Sequence, residues 1–498
     1  MIRTARRGGG RSPRWRWAVL LAAVAGRVLG GEVGLPERPN ILFIAADDLR
    51  MNLGCYGDTV AQTPNLDRLA RRSRIFGRAY CQQAICNPSR ASLMTGLRPD
   101  TLRVWNLTTH FRETTPDVVT LPQHFMRHGY FARNIGKIYH NYRTKIEGDP
   151  ASWSVPAQLH FGAHGKDRPQ FEGTLPPNGA TVGNAEMRDV PDEAYVDGRA
   201  SALAVAALRE CSKKSEPFFL AVGFWKPHAP FNPPRRYWDL YQRLAIPPPS
   251  SLDPPKDTPA IALHPVNAAT SIAALGPDFS PAERARITAE YRHGYYASTT
   301  YMDTQVGKVL DELERLDLAD RTIVVFWSDH GYHLGEIGLW GKTTNFELDA
   351  RVPLLISVPG MASRGVTSPA LVELLDIYPT LVDLCGLPPV PGLEGVSLRP
   401  VLENPRATVK VAAFSQHPRP QHIGDTGKAM GYSLREDRYR YTEWREWTTG
   451  RVMATELYDH ADDPDELRNL AVRPEGRAVI DLLAPRLEAQ FPRRDLRK

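Results

Sequence analysis

The sequence predicts a large doubly wound, mostly parallel α/β sheet domain flanked by helices, followed by a smaller C-terminal α+β domain with an antiparallel sheet. Three observations support this prediction. Short apolar runs end abruptly in polar residues, helical patterns lie between these runs, and the pattern changes to short strands after about residue 405. Strands that alternate with helices favour a parallel sheet covered on both faces. We therefore expect domains at residues 36–405 and 406–498.

Four apolar runs predict the buried strands of the first domain. They are Asn40–Ile44, Tyr130–Ile135, Phe218–Phe224 and Thr322–Trp327. Ionisable residues follow all four runs, namely Asp47 and Asp48, Lys137 and His140, His228, and Asp329 and His330. Because ligands bind beyond the carboxyl ends of parallel strands, these side chains predict a site at one edge of the sheet.

The remaining elements follow from helix starts and from strand composition. Thr63 and Pro64 begin one helix, and residues 303–316 repeat apolar side chains at helical spacing in another. In the second domain we predict strands and a final helix over Val411–Phe414, Met430–Leu434, Arg438–Thr442 and Val479–Gln490.

The formal net charge of +6 comes from one segment. The first thirty residues hold seven arginines and no acidic residue, and the rest of the chain has 55 basic against 56 acidic side chains. This balance gives no support to a nucleic-acid partner. An arginine-rich start, the apolar run Trp17–Ala25 and the small-residue site Val28–Gly30 predict a signal peptide over residues 1–30. The alternative is a disordered basic tail.

We therefore expect an exported, periplasmic or secreted protein without a transmembrane anchor. The apolar run is too short to span a bilayer, and no other stretch is long and apolar enough. The five cysteines show no zinc-type spacing. Four of them could pair or stay buried if Cys86 has a chemical role.

The stretch from Cys86 to Arg90, closed by Gly96, is the most informative motif of the chain. Pro88 favours a first helical turn and Gly96 a helix end, which predicts a helix over Ser89–Thr95 with Cys86 just before it. Backbone N–H groups at a helix start and the forked guanidinium of Arg90 suit a sulfate or phosphate oxygen. The alternative is a buried cysteine at an ordinary helix start.

The strand-end residues suit a cation and an anion together. Asp47, Asp48 and Asp329 are hard oxygen ligands that favour calcium or magnesium, although single aspartates are often helix caps or turn formers. Lysine binds sulfate or phosphate as a point charge, and histidine transfers protons near neutral pH. The residues that we assign to these two tasks are Lys137, His140, His228, His330 and Lys342.

Cys86-x-Pro-Ser-Arg90, followed by Thr95-Gly96, resembles the central motif of the type I sulfatases of the alkaline phosphatase superfamily. The resemblance implies that a separate maturation enzyme oxidises Cys86 to formylglycine. It also implies one calcium ion, held by Asp47, Asp48, Asp329, His330 and the residue made from Cys86. His330 could instead contact the sulfate.

The resemblance implies a mechanism in which the hydrated aldehyde attacks sulfur through one hydroxyl and expels sulfate with the help of the other. Arg90, Lys137 and Lys342 would hold the sulfate oxygens. His228 would protonate the departing sugar hydroxyl, with Lys342 helping, and His140 would assist the second hydroxyl. A thiol would offer no second hydroxyl.

Longer motifs resemble the family members that act on the 2-O-sulfate of iduronate in heparan and dermatan sulfate. These motifs are Ala46–Arg50, Lys226–His228, Ser328–Gly331, Ser415–Gln416 and Pro418–Pro420. The chain is shorter than the animal enzymes and lacks cysteines where their disulfides would fall, which indicates a bacterial exported relative. We therefore expect a sulfated glycosaminoglycan or oligosaccharide as substrate. The alternatives are another sulfated glycan, a phosphate or phosphonate ester, and a non-catalytic glycan-binding protein.

Overall fold

An eight-stranded mixed sheet lies at the centre of the computed structural model, which describes residues 36–140, 144–160, 169–264, 279–420 and 428–493. The predicted signal peptide lies outside these ranges. The strand order is β10-β2-β9-β5-β1-β4-β3, and β8 pairs with β2. The neighbours β5, β1, β4 and β3 are parallel, whereas β9 is antiparallel to both β5 and β2. The predicted doubly wound, mostly parallel sheet is confirmed.

The strands of this sheet are β1 Asn40–Asp47, β2 Arg74–Tyr80, β3 Phe131–Gly136, β4 Phe218–Pro227, β5 Thr322–Ser328, β8 Arg351–Val352, β9 Leu354–Ser357 and β10 Val366–Glu373. Two short strands, β6 His333–Leu334 and β7 Trp340–Gly341, pair with each other. The helices are α1 Pro64–Ala70, α2 Cys86–Thr95, α3 Pro99–Leu102, α4 Phe111–Thr114, α5 Leu121–Arg127, α6 Val196–Cys211, α7 Arg235–Trp238, α8 Pro281–Arg315, α9 Glu347–Ala350, α10 Ile377–Leu384, α11 Arg399–Glu403 and α12 Arg477–Gln490.

Helices cover both faces of the large sheet. Successive side chains of β1 alternate between two apolar cores, because side chains of a strand point to opposite faces in turn. Helices α2, α5 and α10 contribute buried residues to the core that contains Phe43. Helices α1, α6 and α8 contribute to the core that contains Leu42. Burial on both faces explains why the strands appear in the sequence as continuous apolar runs.

Two elements are longer than predicted. Helix α8 has 35 residues, whereas the spacing of apolar residues predicted only residues 303–316. Its first half buries polar and aromatic side chains, among them Glu290, Arg292 and His293, and these obscure the apolar period. Strand β4 continues three residues past Phe224, through Trp225 and the cis peptide between Lys226 and Pro227.

The motif helix begins earlier than predicted. Helix α2 starts at Cys86, so this residue lies in the first turn and not before it. Pro88 therefore occupies the third helical position, where its missing N–H still needs no partner within the helix. Gly96 ends the helix in the left-handed conformation with φ 70°, as predicted.

A separate four-stranded antiparallel sheet lies in the C-terminal part of the chain. Its strands are β11 Ala413–Arg419, β12 Ala429–Arg435, β13 Tyr439–Glu446 and β14 Val452–Asp459, in that order. The sequence predicted the first three and missed β14, an edge strand whose first half is partly exposed. Helix α12 packs Leu483 and Leu487 into the core of this sheet.

Among the residues that the structure describes, every helix is too short or too polar to cross a membrane. All five cysteines lie in the described ranges and all are free thiols. Of the four cysteines other than Cys86, Cys81, Cys211 and Cys385 are buried and Cys55 is half-buried, so the structure supports unpaired thiols that are mostly buried.

Replacement of Gly136 by alanine tests the close approach of β3 to β4. Gly136 has φ 77°, and a Cβ atom there would lie 2.0 Å from the carbonyl oxygen of Gly223. We expect Gly136→Ala to lower the free energy of unfolding by about 3 kcal/mol, because the left-handed backbone and the clash both cost energy. Gly57→Ala is the control, since Gly57 has φ 92° with no atom within 4 Å of its Cβ position. It should cost only about 1 kcal/mol, the backbone contribution. Equal losses in denaturant titrations of the two variants would contradict the clash.

Candidate active site

The predicted strand-end residues converge on the first turn of α2. Asp47 is the last residue of β1, Lys137 follows β3, and Asp329 follows β5. Strands β1 and β3 are the neighbours of β4, which leads to His228, and β5 pairs with β1 on its other side. Parallel packing thus gathers residues that are up to 282 positions apart in the sequence.

The thiol of Cys86 lies at the centre of this group and is 2 % exposed. Its Sγ atom lies 3.4 Å from His330 Nε2 and 3.5 Å from Asp47 Oδ1. The ammonium groups of Lys342 and Lys137 lie 3.6 and 3.7 Å from the same sulfur. A reacting group at position 86 would therefore face both lysines at once.

Each of the three aspartates has a cationic partner. Lys137 donates to the carboxylate of Asp47, and Lys342 donates to that of Asp48. Arg90 Nε donates to Asp329 Oδ2 at 2.7 Å. Since buried charges are stable only when they are paired, these contacts make a pocket with several carboxylates possible.

The surroundings shift the pKa values of the neighbouring residues Asp47 and Asp48 in opposite directions. Burial opposes ionisation of Asp47, but the charges of Lys137, His228 and Arg90 hold its pKa well below the usual value. Burial raises the pKa of Asp48, and the adjacent Asp47 adds to this effect although Lys342 opposes it. Two adjacent buried carboxylates of this kind favour a bound cation.

Four side chains could hold a metal ion together, because single ligand atoms of each lie within 4.8 Å of one another. These side chains are Asp47, Asp48, Cys86 and His330. The two carboxylates fit a hard cation, and an oxygen at position 86 would suit it better than a thiol. The predicted ligand Asp329 lies beside this group, since Asp48 donates its backbone N–H to Asp329 Oδ1 at 3.3 Å.

The guanidinium group of Arg90 is completely buried beneath the pocket. Besides Asp329, it donates to the backbone carbonyls of Lys137 at 2.6 Å, Ile138 at 3.1 Å and Ala46 at 3.2 Å. These bonds join α2 to the ends of β1, β3 and β5. The predicted contact of Arg90 with a substrate sulfate stays a prediction.

The two predicted proton carriers differ in their surroundings. His140 is buried, and burial together with the charge of Lys137 lowers its pKa well below the usual value. His228 is partly exposed at the pocket, with Nε2 3.8 Å from Asp48 Oδ2 and Nδ1 2.6 Å from the carbonyl oxygen of Ala229. A neutral His140 can accept a proton, while His228 can meet a substrate that enters from solvent.

Sequence reasoning missed two supports of the site. Asp349 accepts hydrogen bonds from His333 Nδ1 at 2.7 Å and from the backbone N–H of Thr344 at 3.0 Å. It thereby links the loop after Asp329 to the loop that carries Lys342. The ring of Trp225 lies 4.7 Å from the ammonium group of Lys137. Asp349 precedes a short strand and Trp225 lies in an apolar run, so neither had a sequence signal.

A doubly wound α/β fold that gathers three aspartates, two lysines and an arginine around one residue at the ends of its strands and in the adjoining loop and helix is the arrangement of an enzyme that hydrolyses anionic esters. The family model described as Sulfatase matches residues 39–387. The chain therefore belongs to the sulfatase family and is a sulfuric ester hydrolase, as the Cys86 motif predicted. A second model, N-sulphoglucosamine sulphohydrolase, C-terminal, matches residues 335–492.

Known proteins resemble the chain over most of its length. Iduronate 2-sulfatase of Homo sapiens is 33 % identical, with 96 % of this chain and 99 % of that protein aligned. A sulfatase of Formosa agariphila is 31 % identical over 90 % of this chain and 86 % of its own. The crystal structure of the phosphonate monoester hydrolase of Agrobacterium radiobacter is 25 % identical with a TM-score of 0.74, covering 91 % and 96 % of the two chains.

The unconverted thiol of Cys86 should react slowly with iodoacetamide. Burial and the neighbouring Asp47 raise its pKa to about 12. Since the thiolate is the reactive form, we expect the alkylation rate in EDTA to rise about tenfold per pH unit between pH 7 and 10. Peptide mass spectrometry separates Cys86 from the other buried thiols. A plateau near pH 9, as free cysteine shows under the same conditions, would contradict this expectation.

Proposed function

We propose that the protein hydrolyses sulfate esters of glycosaminoglycan sugars, and specifically the 2-O-sulfate of iduronate in heparan or dermatan sulfate. The observation that carries this proposal is the position of the Cys86 side chain between two lysines and two aspartates. The human relative, which shares 33 % of its residues over nearly its whole length, is an iduronate 2-sulfatase and supports the choice of sugar.

The nucleophile in this proposal is formylglycine made from Cys86 by a maturation enzyme. With a pKa of about 12, the thiol itself is almost entirely protonated at neutral pH and is a poor nucleophile. The hydrated aldehyde supplies two hydroxyls, one to attack sulfur and one to release the sulfate.

One calcium ion would be held by Asp47, Asp48, Asp329, His330 and the converted residue 86. When bound, such a cation stabilises negative charge on the oxygen at position 86. Calcium accepts six to eight oxygen ligands, and carboxylates are its usual partners in proteins. The position of the acidic residues at the ends of β1 and β5, next to the first turn of α2, supports this ligand set.

Lys137 and Lys342 are the residues that we assign to the sulfate oxygens. Both ammonium groups approach the side chain of residue 86, and burial keeps water from screening their charges. Arg90 would have a structural role and would hold Asp329 and the strand ends in place, because its N–H donors already bond protein oxygens. This assignment differs from the sulfate contact that the sequence suggested for Arg90.

His228 is the residue that we assign to protonation of the departing sugar hydroxyl. Its partly exposed ring lies at the mouth of the pocket, where the sugar would leave. His140 would accept the proton of the second hydroxyl, because its lowered pKa keeps it neutral at pH 7.

We further propose export through the segment 1–30 and a two-domain division at about residue 405. The C-terminal domain would complete the substrate pocket. In support, Gln416 donates its backbone N–H to the carbonyl of Gln82 at 2.8 Å, and Ser415 Oγ donates to that of Cys81 at 2.6 Å. Strand β11 thus adjoins the segment that leads into Cys86.

The second candidate function is hydrolysis of another sulfated glycan or of a phosphonate or phosphate ester. The similarity to a phosphonate monoester hydrolase favours this alternative. Parallel assays on sulfate and phosphonate esters separate the two proposals by kcat/KM. A higher kcat/KM on a phosphonate ester than on 2-O-sulfated disaccharides would overturn the first proposal.

Sulfate release from 2-O-sulfated disaccharides should depend on His228 according to the leaving group. We expect His228→Ala to lower kcat about 10²–10⁴-fold on the sugar, because general acid catalysis contributes about this much. The loss should be far smaller on 4-nitrophenyl sulfate, whose leaving group needs no proton. His128→Ala, before the start of β3, is the matched control. Equal losses on both substrates would contradict the role of His228.

Mass spectrometry of the tryptic peptide Ala79–Arg90 tests the nucleophile, because conversion exchanges sulfur for oxygen and changes the mass. The protein is co-expressed with a formylglycine-generating enzyme. Cys86→Ala provides the inactive control. An active enzyme with only unmodified thiol in this peptide would overturn the formylglycine mechanism.

Calcium should raise the thermal stability of the converted protein. A ligand at one hundred times its dissociation constant stabilises the folded state by about 2.7 kcal/mol, which corresponds to a shift of a few degrees in Tm. We expect EDTA to reverse this shift and Asp48→Asn to abolish it, as measured by differential scanning calorimetry. Asp67→Asn is the control, because Asp67 lies on α1 outside the proposed ligand set and accepts a hydrogen bond from the backbone N–H of Cys55. An unchanged calcium response in Asp48→Asn would contradict the proposed ligand set.

A further inference from the structure

Arg419 lies in the second-domain motif that the proposed chemistry leaves unused, and its buried guanidinium has no carboxylate partner among the residues that the structure describes. It is the last residue of β11 and is 9 % exposed. Within the described ranges no ion pair includes Arg419, and its ring contact is with Trp444, 5.0 Å from the ring centroid. Burial lowers its pKa to about 10, which shows how unfavourable its surroundings are for a charge. Burying an arginine charge in this way is unfavourable, which suggests that the side chain has a specific structural or functional role.

The donors of Arg419 end on backbone oxygens of three chain segments. Nε donates to Ile261 at 3.0 Å and Nη2 to Ala262 at 2.9 Å. Nη1 donates to the carbonyl of Thr343 at 2.9 Å and also lies within hydrogen-bond distance of His417 and Pro418 in its own strand. One side chain of the small sheet therefore joins the loop after Pro259 to the loop that carries Lys342.

Thr343 needs such a contact because of its backbone conformation. Its φ angle is 88°, in the region that favours glycine, and its side chain is completely buried. The N–H of Thr343 donates to the carbonyl of Ala84 at 3.1 Å, two residues before Cys86. Its carbonyl accepts from Arg419. The peptide unit before Thr343 is thus held from the Cys86 side, and the peptide unit after it is held from the small sheet.

We infer that Arg419 is a positioning residue for Lys342: its bond to the Thr343 carbonyl holds the left-handed backbone that directs the lysine toward Asp48 and position 86. Without this bond, Thr343 can relax to a negative φ angle, which changes the direction of the chain next to Lys342. The ammonium group, now 3.6 Å from Cys86 Sγ, would then leave the pocket. The kinetic part of this inference depends on the proposed function.

A double-mutant cycle between Arg419→Met and Lys342→Met tests the inference on the matured enzyme. We expect Arg419→Met to lower kcat by about 10- to 100-fold with a smaller change in KM, and to have less than about a twofold effect once Lys342 is already methionine. Arg445→Met is the matched control, because Arg445 is also buried in the same sheet but bonds Glu443 and the Phe491 carbonyl. Its effect should be the same in both backgrounds. Additive losses for Arg419 would overturn the inference.

Thr343→Gly supplies a second test, because glycine adopts a positive φ angle without strain. In this background the loss caused by Arg419→Met should shrink. If Arg419→Met does not fold, Arg419→Lys takes its place, since one ammonium group cannot bond all three loop carbonyls. We then expect a partial loss of kcat that Thr343→Gly reduces, whereas full activity of Arg419→Lys would overturn the inference.

Crystal structures of wild type and Arg419→Met decide the positioning without any assay. We expect Lys342 Nζ to move by more than about 1 Å away from Asp48, a displacement large enough to impair catalysis. An unmoved Lys342 would overturn the inference. If the matured enzyme hydrolyses no sulfate ester, the proposed function fails while these structures still decide the role of Arg419.

Discussion

The balance of buried charge is the constraint on which the rest of the structure depends. Three aspartates lie in a pocket from which water is largely excluded, and each is paired with Lys137, Lys342 or Arg90. Removing one partner would leave an uncompensated charge, which costs far more than a surface ion pair contributes. The cations must therefore be held as firmly as the acids. This requirement explains why so many loops around the pocket are tied by backbone hydrogen bonds.

The large sheet holds some of the charged residues in place, and the small sheet holds the loop of Lys342. Strands β1, β3 and β5 end at the same edge, so backbone pairing brings Asp47, Lys137 and Asp329 together, and Arg90 bonds the ends of these strands. Lys342 has no such strand behind it. Its loop is held by Asp349, by Arg419 and by the bond of Asn345 Nδ2 to the Gly431 carbonyl at 3.0 Å. The second sheet therefore helps to hold the loop that carries Lys342.

The sequence was sufficient to predict the parts of the site that local patterns determine. Apolar runs that end in charged residues located the strand ends, and Pro88 and Gly96 located the motif helix to within three residues. Contacts between distant polar residues were not predictable, because nothing near Asp349 or Arg419 in the sequence points to the Lys342 loop. The first part of helix α8, before residue 303, was not predicted for a related reason. Its buried polar side chains find their partners only in the folded protein.

The role of Arg90 shows why a five-residue motif can identify a whole site. Cys86 and Arg90 are four residues apart, so they lie on one face of α2, one turn from each other. The side chain of Cys86 faces the two lysines. The side chain of Arg90 bonds Asp329 and the carbonyls at the ends of β1 and β3. A lysine at position 90 could not make these forked contacts. The spacing therefore couples Cys86 to the strand ends, and the motif carries information about residues far away in the sequence.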